Sequence, residues 1–344
     1  MGGQCSSAKV YVDTNPIGPL GYEGDRNDAG EPHGEGREVF KNGSVYMGQY
    51  ADGKMHGTGR FSYKDGSIYT GEFLYGKMHG QGKVTFSSGN VYEGNHKLGK
   101  RSGKGKYIYK TGSIYEGEFE EDERHGQGKM IYAVVGTLDS GESKESQELP
   151  RQDVYEGQWE HNKRHGKGIY EFANGDIYEG EWQLDKRHGK GKMLYANRNV
   201  YEGDFLQSYI QGQGVMMYAN GDKYTGTFYK GKRSGKGVLV YKNDDVYDGE
   251  WVEDCMEGLG TIVYANGDFY GGHFSRNKKH GMGKMEYESG LVYDGEWKDG
   301  QKVTQAGGGD KVKPDDMVEE RAAVAETDKN KSAKSESVAD ISDL

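Results

Sequence analysis

Seven of the ten histidines, His33, His56, His79, His125, His165, His188 and His280, are each followed by glycine at one point of a recurring pattern. Imidazoles in series suggest metal binding, because neutral histidine is a common transition-metal ligand. Their spacing argues otherwise: on adjacent hairpins they would stand about 10 Å apart, too far to share an ion. Ser102, Gln211, Ser234 and Glu257 also take the same place elsewhere. A structural role in a turn is expected instead. Gly99 to Gly105 and Gly231 to Gly237 are similar to a phosphate-binding loop, but the glycine spacing is one short, no Ser or Thr follows the lysine, and the next element reads as a hairpin. The Gly-x-Gly pairs have no dinucleotide-binding unit around them, and Ser, His and acidic residues occur only as repeat positions. No catalytic, cofactor or metal residue is expected.

Two other features could bind rather than react. The basic pairs Lys100-Arg101, Lys163-Arg164, Lys186-Arg187, Lys232-Arg233 and Lys278-Lys279 occupy one repeat position. They read either as solvated turns that discourage edge aggregation, or as a basic edge for acidic protein surfaces or phosphoinositide headgroups. The opening Met1-Gly2-Gly3-Gln4-Cys5-Ser6 fits an N-myristoylation pattern, with Cys5 placed for a second acyl chain beside Gly2. Two chains anchor stably, whereas one is marginal.

The elements that carry these residues are set by a period. Tyr-x-Gly recurs at Tyr46, Tyr69, Tyr92 and Tyr115, then at Tyr155 and every 23 residues to Tyr293, with one longer step from Tyr115 to Tyr155 and an offset unit at Tyr22. Tyr178-Glu-Gly-Glu-Trp182 alternates, placing Tyr, Gly and Trp on one strand face and carboxylates on the other. Asp185 to Gly189 reads as a turn, and Gly189 to Tyr195 as a second alternating strand. Asp65-Gly66, Asn174-Gly175, Asn220-Gly221 and Asn266-Gly267 close their units with hairpin chemistry. The fifth position holds Tyr50, Phe73, Phe119, Phe205, Phe228, Phe274 and all four tryptophans, Trp159, Trp182, Trp251 and Trp297; the eighteenth holds Tyr or Phe from Tyr63 to Tyr287. Rings laid across glycines of neighbouring strands would cover one face without a second layer.

This pattern, from Tyr22 to about Gly300, resembles the MORN-repeat family. The resemblance implies an all-β fold, an elongated single-layer antiparallel β-meander with no globular core. About 22 strands at about 4.8 Å each would make a rod near 100 Å long. Such a body suits spacing and docking and lacks an enclosed pocket for chemistry. The expected organisation is an acylation-type leader at 1–21, repeats at 22–135, a polar inserted loop at 136–153, repeats at 154–300, and a charged, disordered tail at 301–344 with a short helix near 314–326.

Composition narrows the class further. Only 33% of the 344 residues are apolar, while 58 are glycine and 27 tyrosine. A net charge of −10 argues against nucleic acid as a partner. Two cysteines, Cys5 and Cys255, form no disulfide framework, and no run approaches a membrane span or a secretory signal. A reduced, cytosolic-side protein is expected.

The first unit, Tyr22 to Gly36, is one residue longer than the regular turn and contains Arg26-Asn27-Asp28-Ala29-Gly30-Glu31. It resembles the opening repeat of the MORN-type radial spoke head proteins of cilia and flagella. That implies a non-enzymatic axonemal subunit that meets other radial spoke proteins. The acylation pattern departs from this picture and suggests an alternative, a membrane-associated cytoskeletal MORN scaffold on the cytoplasmic face of a membrane, binding acidic lipids. A resemblance to the MORN segment of plant phosphoinositide kinases is weaker, because no kinase domain follows. Exposed strand edges leave homo-oligomers open.

Overall fold

The computed structural model describes residues 20–134 and 151–303, and of 311–312 the backbone alone. Gly2 and Cys5, most of the expected inserted loop, and the expected helix near 314–326 lie outside the described residues. The chain divides into two compact units, Met1–Lys232 and Arg233–Leu344.

Among the described residues every element is a β-strand. In the first unit, pairing is antiparallel and runs between consecutive strands, from Gly21–Arg26 on Pro32–Val39 through to Tyr209–Met217 on Lys223–Tyr229. In the second unit the same meander runs to Leu291–Lys298, which also pairs with Gln301–Lys302 and Lys311–Val312. These are open sheets, as the repeat pattern predicts.

Each repeat is built on one arrangement, clearest at Tyr46. Gly48 and Gly59 face each other across the first and second strands, Val45–Ala51 and Lys54–Ser62. The Tyr46 ring lies over both. A Cβ on Gly59 would stand 2.3 Å from Tyr46 Oη and 2.5 Å from its ring carbons, and one on Gly48 would stand 2.5 Å from the Gly59 Cα. No larger residue fits. Just beyond, the register slips between Gly48 and Tyr50, leaving Gln49 without a partner on the following strand. Tyr46 Oη donates to the Gln49 carbonyl at 2.9 Å. Every repeat tyrosine from Tyr22 to Tyr293 makes this bond to the residue three ahead, at 2.6 to 3.0 Å. A buried carbonyl left open by the bulge would otherwise cost about 1–3 kcal/mol.

The tyrosines are held down by the fifth-position rings. Tyr46 meets Tyr50 and Phe73 edge to face at 5.1 and 5.0 Å, and Tyr155 meets Trp159 and Trp182 at 5.2 and 5.4 Å. Tyr46 and Tyr155 therefore each lock their own repeat to the next. Ten of the repeat tyrosines have no exposed surface. Such contacts add about 0.5–1.5 kcal/mol beyond burial. At Tyr22, which has no repeat before it, the Arg26 guanidinium takes the fifth position and lies 4.9 Å from the ring centre. Past the last repeat, Lys302 Nζ sits 4.7 Å from the Tyr293 ring. Cations thus cap the terminal rings where no further repeat covers them.

The turns differ from the sequence reading. Asp185 to Gly189 was the expected turn, but the reversal takes only Leu184 and Asp185, at φ +50° and +69°, and Lys186, Arg187 and His188 lie in the strand Lys186–Leu194. Two left-handed residues match the twist of the flanking strands. The Asp65-Gly66 type of closure is a longer loop: Gly66 N donates to Tyr63 O, Tyr63 N donates to Ser67 O, and Gly66 takes φ +90°. The extra residues after Tyr132 enter at this same loop, where Tyr132 N donates to Asp153 O at 3.0 Å and Ile131 opposes Val154. The ladder closes across the insertion without a change of register.

Tyr178→Phe should therefore cost about 1 kcal/mol through the lost hydroxyl bond. Gly191→Ala should cost more, since the new Cβ would stand 2.6 Å from the Tyr178 ring. Denaturant unfolding of both variants checks the order; an alanine variant as stable as the phenylalanine one would be inconsistent with the clamp.

Candidate docking surfaces

The strand that follows each two-residue turn divides the basic pairs between two faces, because neighbours along a strand point oppositely. The second members turn inward onto the rings. Arg164 Cζ lies 4.5 Å from the Trp182 ring centre and 5.0 Å from Tyr170; Arg233 lies 4.2 Å from Trp251; Lys279 Nζ lies 4.7 Å from both Tyr270 and Trp297. Arg101 sits over Tyr107 and Phe119, and Arg187 over Tyr178 and Phe205. Their polar ends bind the next turn. Arg101, Arg164 and Arg233 Nε donate to Asp122, Asp185 and Asp254 at 3.1 to 3.2 Å, and Arg187 NH2 donates to the Ser208 carbonyl at 2.9 Å. Burial lowers the pKa of Arg187 and of Lys279.

The first members face solvent. Lys100, Lys163, Lys186, Lys232 and Lys278 are exposed, and Lys100 Nζ bonds Glu121. Of the ten basic residues singled out from the sequence, then, five are exposed to solvent and five lie against aromatic rings. The opposite face of the first unit carries alternating charge: Lys83–Glu93 at 3.6 Å, Lys106–Glu116 at 3.7 Å and Lys129–Glu156 at 3.0 Å border an open groove of about 920 Å³. Exposed pairs of this kind contribute little stability and leave no net charge to attract a ligand.

Three of the turn histidines, His33, His125 and His165, stand beside a carboxylate. His125 Nε2 lies 3.5 Å from Glu120 and His165 Nδ1 lies 3.1 Å from Glu160. Among the described residues no three His, Cys, Asp or Glu side chains gather where a metal could sit. The phosphate-loop-like stretches are extended strand, Lys100–Ile108 and Lys232–Val240. The distinctive Arg26 to Glu31 stretch is a loop that bonds itself: Arg26 donates to Gly30 O at 2.6 Å, and the Asn27 side chain accepts from the amides of Ala29 and Glu31.

One residue that the sequence reading passed over is His96. It holds the fifth position, where the other repeats from Tyr50 onward carry a tyrosine, phenylalanine or tryptophan. Its ring is 4% exposed and meets Tyr69 and Tyr92 edge to face at 5.1 Å each. Neither ring nitrogen has a hydrogen-bond partner. Burial lowers its pKa; Arg101 acts the same way, while the Gly94 backbone and Asp122 oppose it. The only signal in the sequence was a break in ring type within an otherwise aromatic column.

Comparison with known proteins follows this geometry. The family model described as the MORN repeat matches twelve segments, which together run over 29–134 and 155–303. A curated relative, "Radial spoke head 1 homolog" of Cyprinus carpio, is 59% identical over 34 residues, 10% of this chain and 16% of that protein. The match thus spans about a sixth of the relative's length. Among solved structures, the TCP10 domain of Danio rerio CPAP in complex with a STIL peptide is 11% identical, covering 80% of this chain and 98% of that one, with a TM-score of 0.33. The SAS-4 (dCPAP) TCP domain of Drosophila melanogaster is 16% identical, covering 55% and 86%, with a TM-score of 0.30. At these scores neither structure bears on function.

Because the folded state keeps His96 neutral, its lowered pKa leaves stability unaffected above the ordinary value of 6.5. Below that pH the unfolded chain takes up a proton the folded chain does not, so stability should fall until the folded pKa is reached. His96→Phe should remove this acid-dependent loss, measured as the difference between the two proteins in urea midpoint at pH 7 and at pH 5. An unchanged difference would show that His96 is not held neutral.

Proposed function

The chain belongs to the MORN-repeat family, and on that premise we propose that it is a non-enzymatic scaffold of the motile ciliary or flagellar axoneme, a radial spoke head component. The observation that carries the ciliary assignment is the 34-residue match at 59% identity to a radial spoke head protein. The geometry agrees with a scaffold. Side chains that resemble chemical groups serve the hairpins, and the exposed lysines offer points of contact spaced by the repeat. Lys100, Lys163, Lys186, Lys232 and Lys278 are the proposed contacts for acidic surfaces of other radial spoke proteins. Their partners Arg101, Arg164, Arg187, Arg233 and Lys279 hold the sheet that spaces them.

The second reading rests on the N-terminal sequence. Gly2 and Cys5 fit dual acylation, which favours a cytoskeletal MORN scaffold held at the cytoplasmic face of a membrane. Detergent separates the two. If isolated cilia are demembranated, an axonemal subunit stays with the microtubules and is released only by high salt, and a Gly2→Ala variant behaves identically. Release by detergent alone, lost in the Gly2→Ala variant, would replace the axonemal reading with the membrane one.

A further inference from the structure

In the column of fifth-position rings, His96 is smaller than its neighbours Phe73 and Phe119. On the adjoining strand the sixteenth position holds Val84, where neighbouring repeats have Phe61, Tyr107 and Met130. The two positions lie four residues apart along the strands, where the larger rings of another repeat, Tyr170 and Trp182, meet at 5.9 Å. Val84 opposes Tyr92 and Gly80 opposes His96 across the strands Lys77–Thr85 and Val91–Lys97. Val84 and His96 both line a cavity of about 280 Å³ with apolar walls from Met78, Val84 and Phe86, and Asp65, Arg101 and Asp122 also line it.

The polar groups at this cavity are unequal. The Asp65 carboxylate accepts from Ser67 N and Oγ, and Asp122 accepts from Arg101, so both are already engaged. The imidazole is not: both nitrogens are buried without a partner, an arrangement that is costly unless something supplies the missing bond. Elsewhere in the column the fold shows what completes such a site. Trp159 and Trp182 fill the equivalent space with an indole whose Nε1 donates to a carbonyl of the preceding repeat, at 3.0 and 3.2 Å.

The cavity opens beside the Leu98-Gly99 turn. Gly99 lines it, and Gly99 N donates to Met78 O, stacking the Leu98-Gly99 turn on the strand that follows the Tyr75-Gly76 turn. Tyr75 and Leu98 occupy left-handed positions at φ +50° and +51° and are 68% and 51% exposed. The Tyr75 ring meets His56 of the preceding repeat edge to face at 5.8 Å, and Leu184 holds the same turn position at φ +50°. A cavity with apolar walls and one unpaired buried polar group is the kind of pocket in which a protein surface holds a partner's aromatic residue.

We propose that this notch is a docking site for a segment of a partner protein that inserts one aromatic side chain with a hydrogen-bonding tip, an indole or a phenol, onto the unpartnered His96 ring. The proposal rests on the reading of the array as a docking scaffold, but the two fail separately: retention on demembranated axonemes does not depend on this cavity.

The test titrates the full chain with the peptides acetyl-Gly-Gly-X-Gly-Gly-amide, X being Trp, Tyr, Phe, Lys or Ala, while following the His96 side-chain nitrogen resonances. The Trp and Tyr peptides should shift them saturably, the Phe peptide should bind about tenfold more weakly for want of the tip, and Ala should have no effect. Val84→Phe, which fills the cavity with the residue found at Phe61, should keep the fold and weaken the Trp peptide by at least about tenfold; should it fail to fold, His96→Phe supplies the same comparison without the imidazole. Binding that is equal for Ala and Trp, that prefers Lys, or that survives both variants would overturn the proposal. So would concentration-dependent self-association abolished by Val84→Phe, which would assign the notch to a second copy of this chain.

Discussion

A tyrosine ring pressed onto two facing glycines, with its hydroxyl bonded to the carbonyl that a register slip has freed, is the contact on which everything else in this protein depends. A sheet of one layer cannot bury an apolar face against another layer, so it must cover that face with its own side chains. The Tyr46 ring does so by lying flat, which only a Gly48–Gly59 pair permits, and its edge then receives Tyr50 from its own repeat and Phe73 from the next. Cohesion passes from one hairpin to its neighbour, so each repeat is stabilised locally. The same logic explains Arg26 and Lys302, cations that finish the outermost rings without offering an aromatic surface to an unrelated chain.

The clamp also accounts for the placement of residues whose types resemble chemical groups. Once the rings are in place, the inward side chain after each turn must lie on an aromatic surface and still satisfy its polar end. Arginine does both, with its planar group over Trp182 or Trp251 and its nitrogens on the following turn. Asp122, Asp185 and Asp254 hold left-handed turn positions and receive those arginines, so the acidic and basic residues of adjacent repeats are parts of one hydrogen-bonded seam. What remains for function is what the seam leaves outside: lysines, exposed turn tips, and places where the period is broken.

The repeat, the strand alternation, the ring-over-glycine packing and the all-β class were legible because a period of 23 residues imposes itself on every unit. The position of the turn was not. Asp185 through Gly189 carries residues common in turns, and nothing local shows that Leu184 adopts a left-handed conformation; the reversal is set by the match between a two-residue loop and strand twist. That offset of a few residues is why Lys186-Arg187 read as one solvated pair, when alternation carried back from Met193 and Gly191 would have turned Arg187 inward. His96 was missed for a different reason. A column of aromatic residues draws attention to its type, and the informative residue was the one that broke it, His96, which shares a cavity with Val84 only in the folded sheet.

Spectrophotometric titration of the tyrosines tests the clamp most directly. Burial pushes the phenols of Tyr92 and Tyr270 up to about 12 and raises those of Tyr69, Tyr115, Tyr155, Tyr178, Tyr201 and Tyr247 as well, whereas Tyr75, Tyr209 and Tyr229 are exposed. Since the folded state keeps the buried phenols neutral, their stabilising effect is complete below pH 10 and is lost as the pH rises above it. The buried phenols should ionise only above pH 10, and together with loss of the β-sheet circular dichroism signal. A single class, with all the tyrosines ionising near pH 10 while the sheet persists, would contradict the clamp.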